Sequence, residues 1–203
     1  MAAIESIVIE VAPTTQQVEA FYADVFSMGG RVQVRPSEAP ATGFRGFTMS
    51  LVLSQPASVN SLMDNARDAG AMVIKPAAKS LWGYGGVLQA PDGTIWTVAS
   101  SSKKDSGPAN THIDAMVLQL GVADVAASKQ FYLDRGLTLA KSFGNRYVEF
   151  DTGTIKLTLN KRSALAKTAG VSPDGTGSHR LLISGDAGTF TDPDGFTWKS
   201  PLG

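Results

Sequence analysis

The sequence predicts an α+β fold made of two homologous halves, and three observations predict it. The stretch Ile7–Phe26 (IVIEVAPTTQQVEAFYADVF) returns as Val117–Gly136 (VLQLGVADVAASKQFYLDRG), with Phe21-Tyr22 matched by Phe131-Tyr132, 110 positions later. The octapeptide Ala90–Thr97 (APDGTIWT) returns as Asp192–Lys199 (DPDGFTWK), 102 positions later. In both halves a β-branched and aliphatic run is followed by a helical pattern and then by several strand-like runs. The two offsets differ, so the second half is about eight residues shorter in its interior. We read residues 1–99 as the first half, 100–111 as a polar linker containing Gly-Pro (SSSKKDSGPANT), and 112–203 as the second half.

The elements follow in order. The opening run of the first half is a strand, because Ile7, Val8, Ile9 and Val11 favour pleated backbone. Thr14 or Thr15 caps a helix that turns Val18, Phe21, Tyr22 and Val25 inward and stops at Gly29-Gly30. Strands are expected at 31–36 and 47–53, a helix at 59–69 ending at Gly70, and strands at 72–76, 85–89 and 94–99. In the second half Asp124 caps a helix with Val125, Phe131 and Tyr132 facing inward, stopped by Gly136. Strands at 138–142, 147–150 and 155–159 follow. A short helical stretch at 163–169 and a Gly/Ser/Pro-rich loop lead to strands at 180–184 and 189–199, the last broken by its turn. On this reading the second half lacks the second helix and one strand of the first. Each Pro-Asp-Gly joins a hairpin: Pro presets φ, and Asp and Gly accept tight and left-handed backbone.

Composition narrows the function. The 203 residues carry 18 Lys+Arg and 18 Asp+Glu, so no cationic surplus is available to neutralise phosphates, and nucleic acid is not an expected partner. No apolar run reaches the roughly 18 residues of a membrane span. The N-terminal MAAIESIVIE has no basic segment ahead of its apolar residues, so it reads as a strand and not as a leader. With no Cys there are no disulfides, thiolate ligands or Cys nucleophiles, and a cytoplasmic location is the default expectation. No Gly-x-Ser-x-Gly elbow is present, and AKSLWGYGG lacks the Gly-Lys-Ser/Thr ending of a phosphate loop.

The early Phe-Tyr helix in both halves, the Trp82–Gly86 run WGYGG before a strand, and the two closing turns, taken in this order, resemble the vicinal oxygen chelate superfamily. That group includes glyoxalase I, bleomycin-resistance proteins and extradiol dioxygenases. The resemblance covers nearly the whole chain and implies βαβββ units forming curved, incompletely closed sheets with helices outside, and a homodimer. It also implies a divalent metal held by His, Glu or Gln at four strand positions, acting as a Lewis acid. Here those positions fall at Ser6 and Ala115 in the first strands, Lys156 in a fourth strand, His179 in a fifth, and Thr97 and Lys199 in the last strands. In the first half Met49 or its neighbours occupy the equivalent place. One imidazole among Ser, Ala, Thr and Lys is not a divalent-metal site, so no cofactor is expected.

The leading expectation is therefore metal-independent binding of a small, partly aromatic organic molecule. Trp82 and Tyr84, among Gly83, Gly85 and Gly86, and Phe44, Arg45 and Phe47, also flanked by glycine, are the candidate lining, with Trp96 in the next strand. Aromatic rings stack on planar ligands, and Arg45 can meet a carboxylate or stack. Trp96 and Trp198 recur at matched positions, which also suits a shared structural role. The alternative is a lyase, isomerase or dioxygenase-like enzyme with a displaced metal or a protein acid/base, for which His179 and Glu149 are the catalytic candidates. His179 also reads as a leftover ligand, and more readily as a strand-end histidine bonded to backbone. Lys156 and Lys199 either face an anionic ligand or are solvated.

Overall fold

The computed structural model describes residues 2–12, 16–26 and 30–200. Thr14, Thr15 and Gly29, expected to bound the first helix, lie outside the described residues. The first half runs β1 (Ile4–Val11), α1 (Gln16–Phe26), β2 (Val32–Pro36), β3 (Thr42–Gly43), β4 (Phe47–Val52), α2 (Pro56–Asp68), β5 (Met72–Ser80), β6 (Gly83–Gln89) and β7 (Ile95–Ser100). The second runs β8 (Ala115–Val122), α3 (Val125–Leu133), β9 (Thr138–Phe143), β10 (Tyr147–Asp151), β11 (Ile155–Lys161), α4 (Arg162–Ala169) and β12 (Gly175–Thr176). It closes with a 3-10 turn at Ser178–Arg180, then β13 (Leu181–Gly185), β14 (Phe190–Thr191) and β15 (Thr197–Lys199). This is the expected α+β class with open, curled sheets.

The halves do not fold as two beads. One sheet of eight strands is ordered β5-β6-β7-β4-β8-β11-β10-β9, and another of five is ordered β14-β15-β13-β1-β2. In the larger sheet the halves meet where β4 lies antiparallel to β8, with Thr48 opposite Gln119 and Ser50 opposite Val117. In the smaller one β1 pairs antiparallel with β13, with Ser6 opposite Ser184 and Val8 opposite Leu182. Each sheet thus contains strands of both halves, and residues 101–114 carry the chain from β7 to β8 within one sheet.

Strand alternation divides each sheet into two faces. One apolar core takes Ile7, Ile9, Ile183 and Trp198 from the smaller sheet, Met49, Trp96, Leu118 and Leu157 from the larger, and Val18, Phe26, Val59, Met63 and Tyr132 from helices α1 to α3. Asp124 caps α3 as expected, its Oδ1 accepting from the amides of Ala126 (2.9 Å) and Ala127 (3.1 Å). Helix α2 begins three residues before the expected start, with Pro56 in its first turn, where a missing N–H costs nothing.

The second half lacks the second helix, as expected: β13 is the counterpart of β4, each lying parallel to the strand after its Pro-Asp-Gly turn and antiparallel to the first strand of the other half, and β13 leads to β14 with no helix between. Helix α4, between β11 and β12, is short and lies on the other side of the larger sheet from α2. Leu165, Ala166 and Ala169 pack with Phe44, Val87 and Ile95 in a separate cluster. Val87 and Ile95 alternate with the core residues Leu88 and Trp96, so this cluster sits on the face of the larger sheet that looks away from the core. Arg162 pins the start of α4, donating to the carbonyls of Phe44, Pro173 (2.9 Å) and Gly175 (2.9 Å). Its guanidinium passes so close to Gly46 (φ +90°) that a Cβ there would lie 2.5 Å from Nη1. Lys75 pins the other end, its Nζ donating to the carbonyls of Lys167 (3.1 Å) and Thr168 (2.6 Å).

Candidate functional site

The repeated hairpins are structural. In the first half Tyr22 donates to Asp92 Oδ1 (3.0 Å) and accepts from Trp96 Nε1 (3.4 Å). In the second, Tyr132 donates to Asp192 Oδ2 (2.6 Å) and accepts from Trp198 Nε1 (3.3 Å). Each triangle ties the Phe-Tyr helix to the closing hairpin. The aspartates are not equivalent in the repeat: Asp92 belongs to Pro-Asp-Gly, whereas Asp192 stands before it. Burial, reinforced by the neighbouring carboxylate, holds both phenols well above their ordinary range. Burial also raises Asp192, against the hydrogen bonds from Tyr132 and the Phe196 amide.

These contacts correct two expectations. Trp96 is fully buried, 4.3 Å centroid to centroid from Phe26, so its ring has no surface for a ligand. Arg45 does meet a carboxylate and stack, but within the chain. It pairs with Asp92 (3.2 Å), donates to Thr94, and lies over the Phe47 ring (5.2 Å). The remaining aromatic candidates divide between two cavities separated by α4. Phe44, Arg45 and Phe47 border one of about 310 Å³, closed on its far side by Val171, Ser172 and Asp174. Trp82 and Tyr84 border another of about 370 Å³, floored by Gly85, Val87, Thr97 and Ala99 and ended by Thr168 of α4. Trp82 sits at the tip of the β5–β6 hairpin with 86% of its surface exposed. Tyr84 turns to the other side of β6 and donates to Asn60 of α2 (2.8 Å).

His179 and Glu149 are not brought together. His179 is exposed in the turn before β13 of the smaller sheet, and Glu149 lies on β10 of the larger. Glu149 accepts from Tyr147 (2.9 Å) and stands 3.8 Å from both Lys141 and Lys156. Burial and that carboxylate raise the Tyr147 phenol above its usual range. Lys156 is thus ion-paired on the outer face, in register with Val117.

The metal positions implied by the resemblance separate in the same way. Thr97 is in register with Ser50 in the larger sheet. In the smaller sheet Ser6, Ser184 and Lys199 form one row across three strands. Hydroxyls and an ammonium do not make a divalent-cation site. Among the described residues, no three His, Asp or Glu side chains are grouped closely enough to hold a metal ion.

The row in the smaller sheet opens onto a cavity of about 570 Å³ that no helix residue among the described ones lines. Its walls include Ser6, Gln33, Arg35, Ser184 and Lys199. Sequence reasoning named Ser6 and Lys199 but missed Gln33 and Ser184. The alternation of β13, with Leu181 and Ile183 buried and Leu182 and Ser184 partly open, carries that signal once β13 is paired with β1.

No family model matches the sequence, and no curated protein matches it. Solved structures do. Glyoxalase I from Zea mays is similar over 98% of this chain and 91% of its own, with a TM-score of 0.61 at 14% identity. A putative dioxygenase from Bacillus subtilis subsp. subtilis str. 168 is similar over 90% of this chain and 69% of its own, with a TM-score of 0.55 at 13% identity. No helix of the described residues is long and apolar enough to cross a membrane. With both sheets, the duplicated strand–helix order and these likenesses together, the chain has the fold of the vicinal oxygen chelate superfamily.

Proposed function

We propose that the protein binds small planar organic molecules without a metal ion, in the cavity beside Trp82 on the outer face of the larger sheet. One observation carries the reading. Of the three tryptophans, Trp96 and Trp198 are fully buried, whereas Trp82 holds its indole out at 86% exposure beside a largely apolar depression. An exposed ring of this size gains nothing for the fold, and an indole next to a flat floor of Gly85, Val87 and Ala99 suits stacking on a planar ligand. Lys79 on the rim adds a cation for a polar substituent. The donor set at the positions the fold uses for metal supports the same reading, since Ser, Thr and Lys fit hydrogen bonding better than chelation.

The test is tryptophan fluorescence with acridine and naphthalene-1-sulfonate as probes. We expect quenching of the exposed component, lost in Trp82→Phe while the emission of the two buried rings persists. Equal binding by Trp82→Phe, or close to one transition-metal ion per chain in protein isolated without chelator, would overturn the reading.

A further inference from the structure

We propose that the tip of the β5–β6 hairpin is a docking point for an anionic lipid surface. The contact is with the surface of a bilayer and not a crossing of it. Three facts point there. The first is exposure. Leu81 and Trp82 are the two residues between β5 and β6, and they stand 79% and 86% exposed, more than any other large apolar side chain among the described residues. A convex two-residue tip has no neighbour in the chain to cover it. Its side chains suit the soft interface of a lipid layer, whereas a protein partner would have to offer a matching pit.

The second fact is that the tip is held in place. Ser80 Oγ accepts from the Trp82 amide (3.2 Å) and donates to the Gly83 carbonyl (3.4 Å). Gly83 (φ +145°) runs so close to the end of β7 that a Cβ there would lie 2.1 Å from the Ser100 carbonyl oxygen. Lys103 Nζ donates to the Leu81 carbonyl (3.0 Å) and fastens the tip to the segment after β7. The two apolar side chains are thus presented by a backbone already ordered, and docking loses little entropy there.

The third fact is charge. Lys79 lies one residue before the end of β5, Lys103 reaches the tip, Lys104 follows it, and all three are exposed. None of them has an ion pair among the described residues. The only acid between Lys75 and Lys104 is Asp92, in the turn at the opposite end of β6 and paired with Arg45. Asp105 is turned to the start of α2, where its Oδ1 accepts from the Ala57 amide (2.6 Å). The chain as a whole is neutral, so these cations are a local concentration around an apolar tip. Such a collar draws the tip to anionic headgroups, and Leu81 and Trp82 enter the boundary beneath them.

The test is sedimentation of the full chain with vesicles of phosphatidylcholine alone and of phosphatidylcholine mixed equally with phosphatidylserine. We expect binding to the mixed vesicles with a blue shift of the exposed tryptophan. Binding should be about tenfold weaker on phosphatidylcholine alone and should weaken as salt rises. The double variant Lys103→Glu/Lys104→Glu should bind the mixed vesicles roughly tenfold less, and Leu81→Ser about fivefold less. Leu81, Lys103 and Lys104 do not border the Trp82 cavity, so both variants should keep acridine quenching. Trp82→Phe should do the reverse, losing the quenching and holding vesicle binding within about threefold, which separates failure here from failure of the planar-ligand site. No sedimentation with either vesicle, equal binding to both, or undiminished binding by a folded double variant would each overturn the proposal. Binding to polyglutamate with none to vesicles would assign the tip to an acidic protein and overturn it too.

Discussion

Helices α2 and α4 lie on opposite faces of the same sheet and hold different places in the two halves: α2 follows β4, whereas α4 comes before β13, the counterpart of β4. Helix α2 sends Val59, Met63 and Ala66 into the common core, where Met63 packs against Gly86 so closely that a Cβ there would lie 2.5 Å from its methyl. Helix α4 has only Leu165, Ala166 and Ala169 to bury, and it buries them outside. Eight residues with so narrow an apolar stripe gain little from packing alone. Two side chains, its own Arg162 at the start and Lys75 of β5 at the end, supply what the stripe lacks. A helix without a counterpart in the other half thus takes a covering role where α2 takes a core one. The larger sheet has its outer face partly filled as a result, and the smaller one does not.

The most severe way to break this comparison is to put a carboxylate in each stripe. Val59→Asp places an unpaired charge in the common core and should abolish cooperative folding, at a cost above about 4 kcal/mol. Leu165→Asp should cost less, about 2–3 kcal/mol, because α4 can lift away and let water in. Hydrogen exchange should then show fast amides over α4 and retained protection across β4 and β8. Equal global destabilisation by the two would mean that α4 is as integral as α2. A finer probe is Lys75→Met, which keeps the stem and removes the cap. We expect a loss of about 0.5–1 kcal/mol in thermal unfolding, with exchange accelerated at the C-terminal turn of α4 only.

The smallest effect concerns the open sheet. Burial raises the Glu10 carboxyl, but Arg35, Ser37 and Arg180 outweigh it and hold the group below its usual value. A carboxyl lowered in this way stabilises the fold above the unfolded value of 4.5 and loses that contribution as pH falls through the folded value. Arg35 is about half exposed, so the increment is slight. Glu10→Gln should flatten the acid limb of the urea-midpoint profile below about pH 4.5 and leave neutral pH nearly unchanged. An unaltered acid limb would count against the pairing of Glu10 with Arg35.

The duplication was readable in the sequence because its signals are local. A Pro-Asp-Gly turn, a capping Asp124 and an aliphatic run each act within a few residues. The site was less readable because its contacts are distant. Arg45 finds Asp92 across 47 positions, and Phe44 finds α4 across more than a hundred. Leu165, Ala166 and Ala169 would suit either face of a sheet, so their pattern predicts a helix and not its side. Ser6 and Lys199 were identified from the resemblance, yet only the pairing of β1 with β13 sets Ser184 between them.

The way the halves share both sheets has a consequence for how such a chain is inherited. Removing either copy would strip every neighbour from one flank of β4 or β8 and of β1 or β13, exposing raw strand edges that invite aggregation. Severing residues 101–114 while both copies remain would instead leave two fragments holding each other through two seams. A duplication that began as a spare copy has become a mutual dependence: each half is the other's chaperone, and neither can be lost.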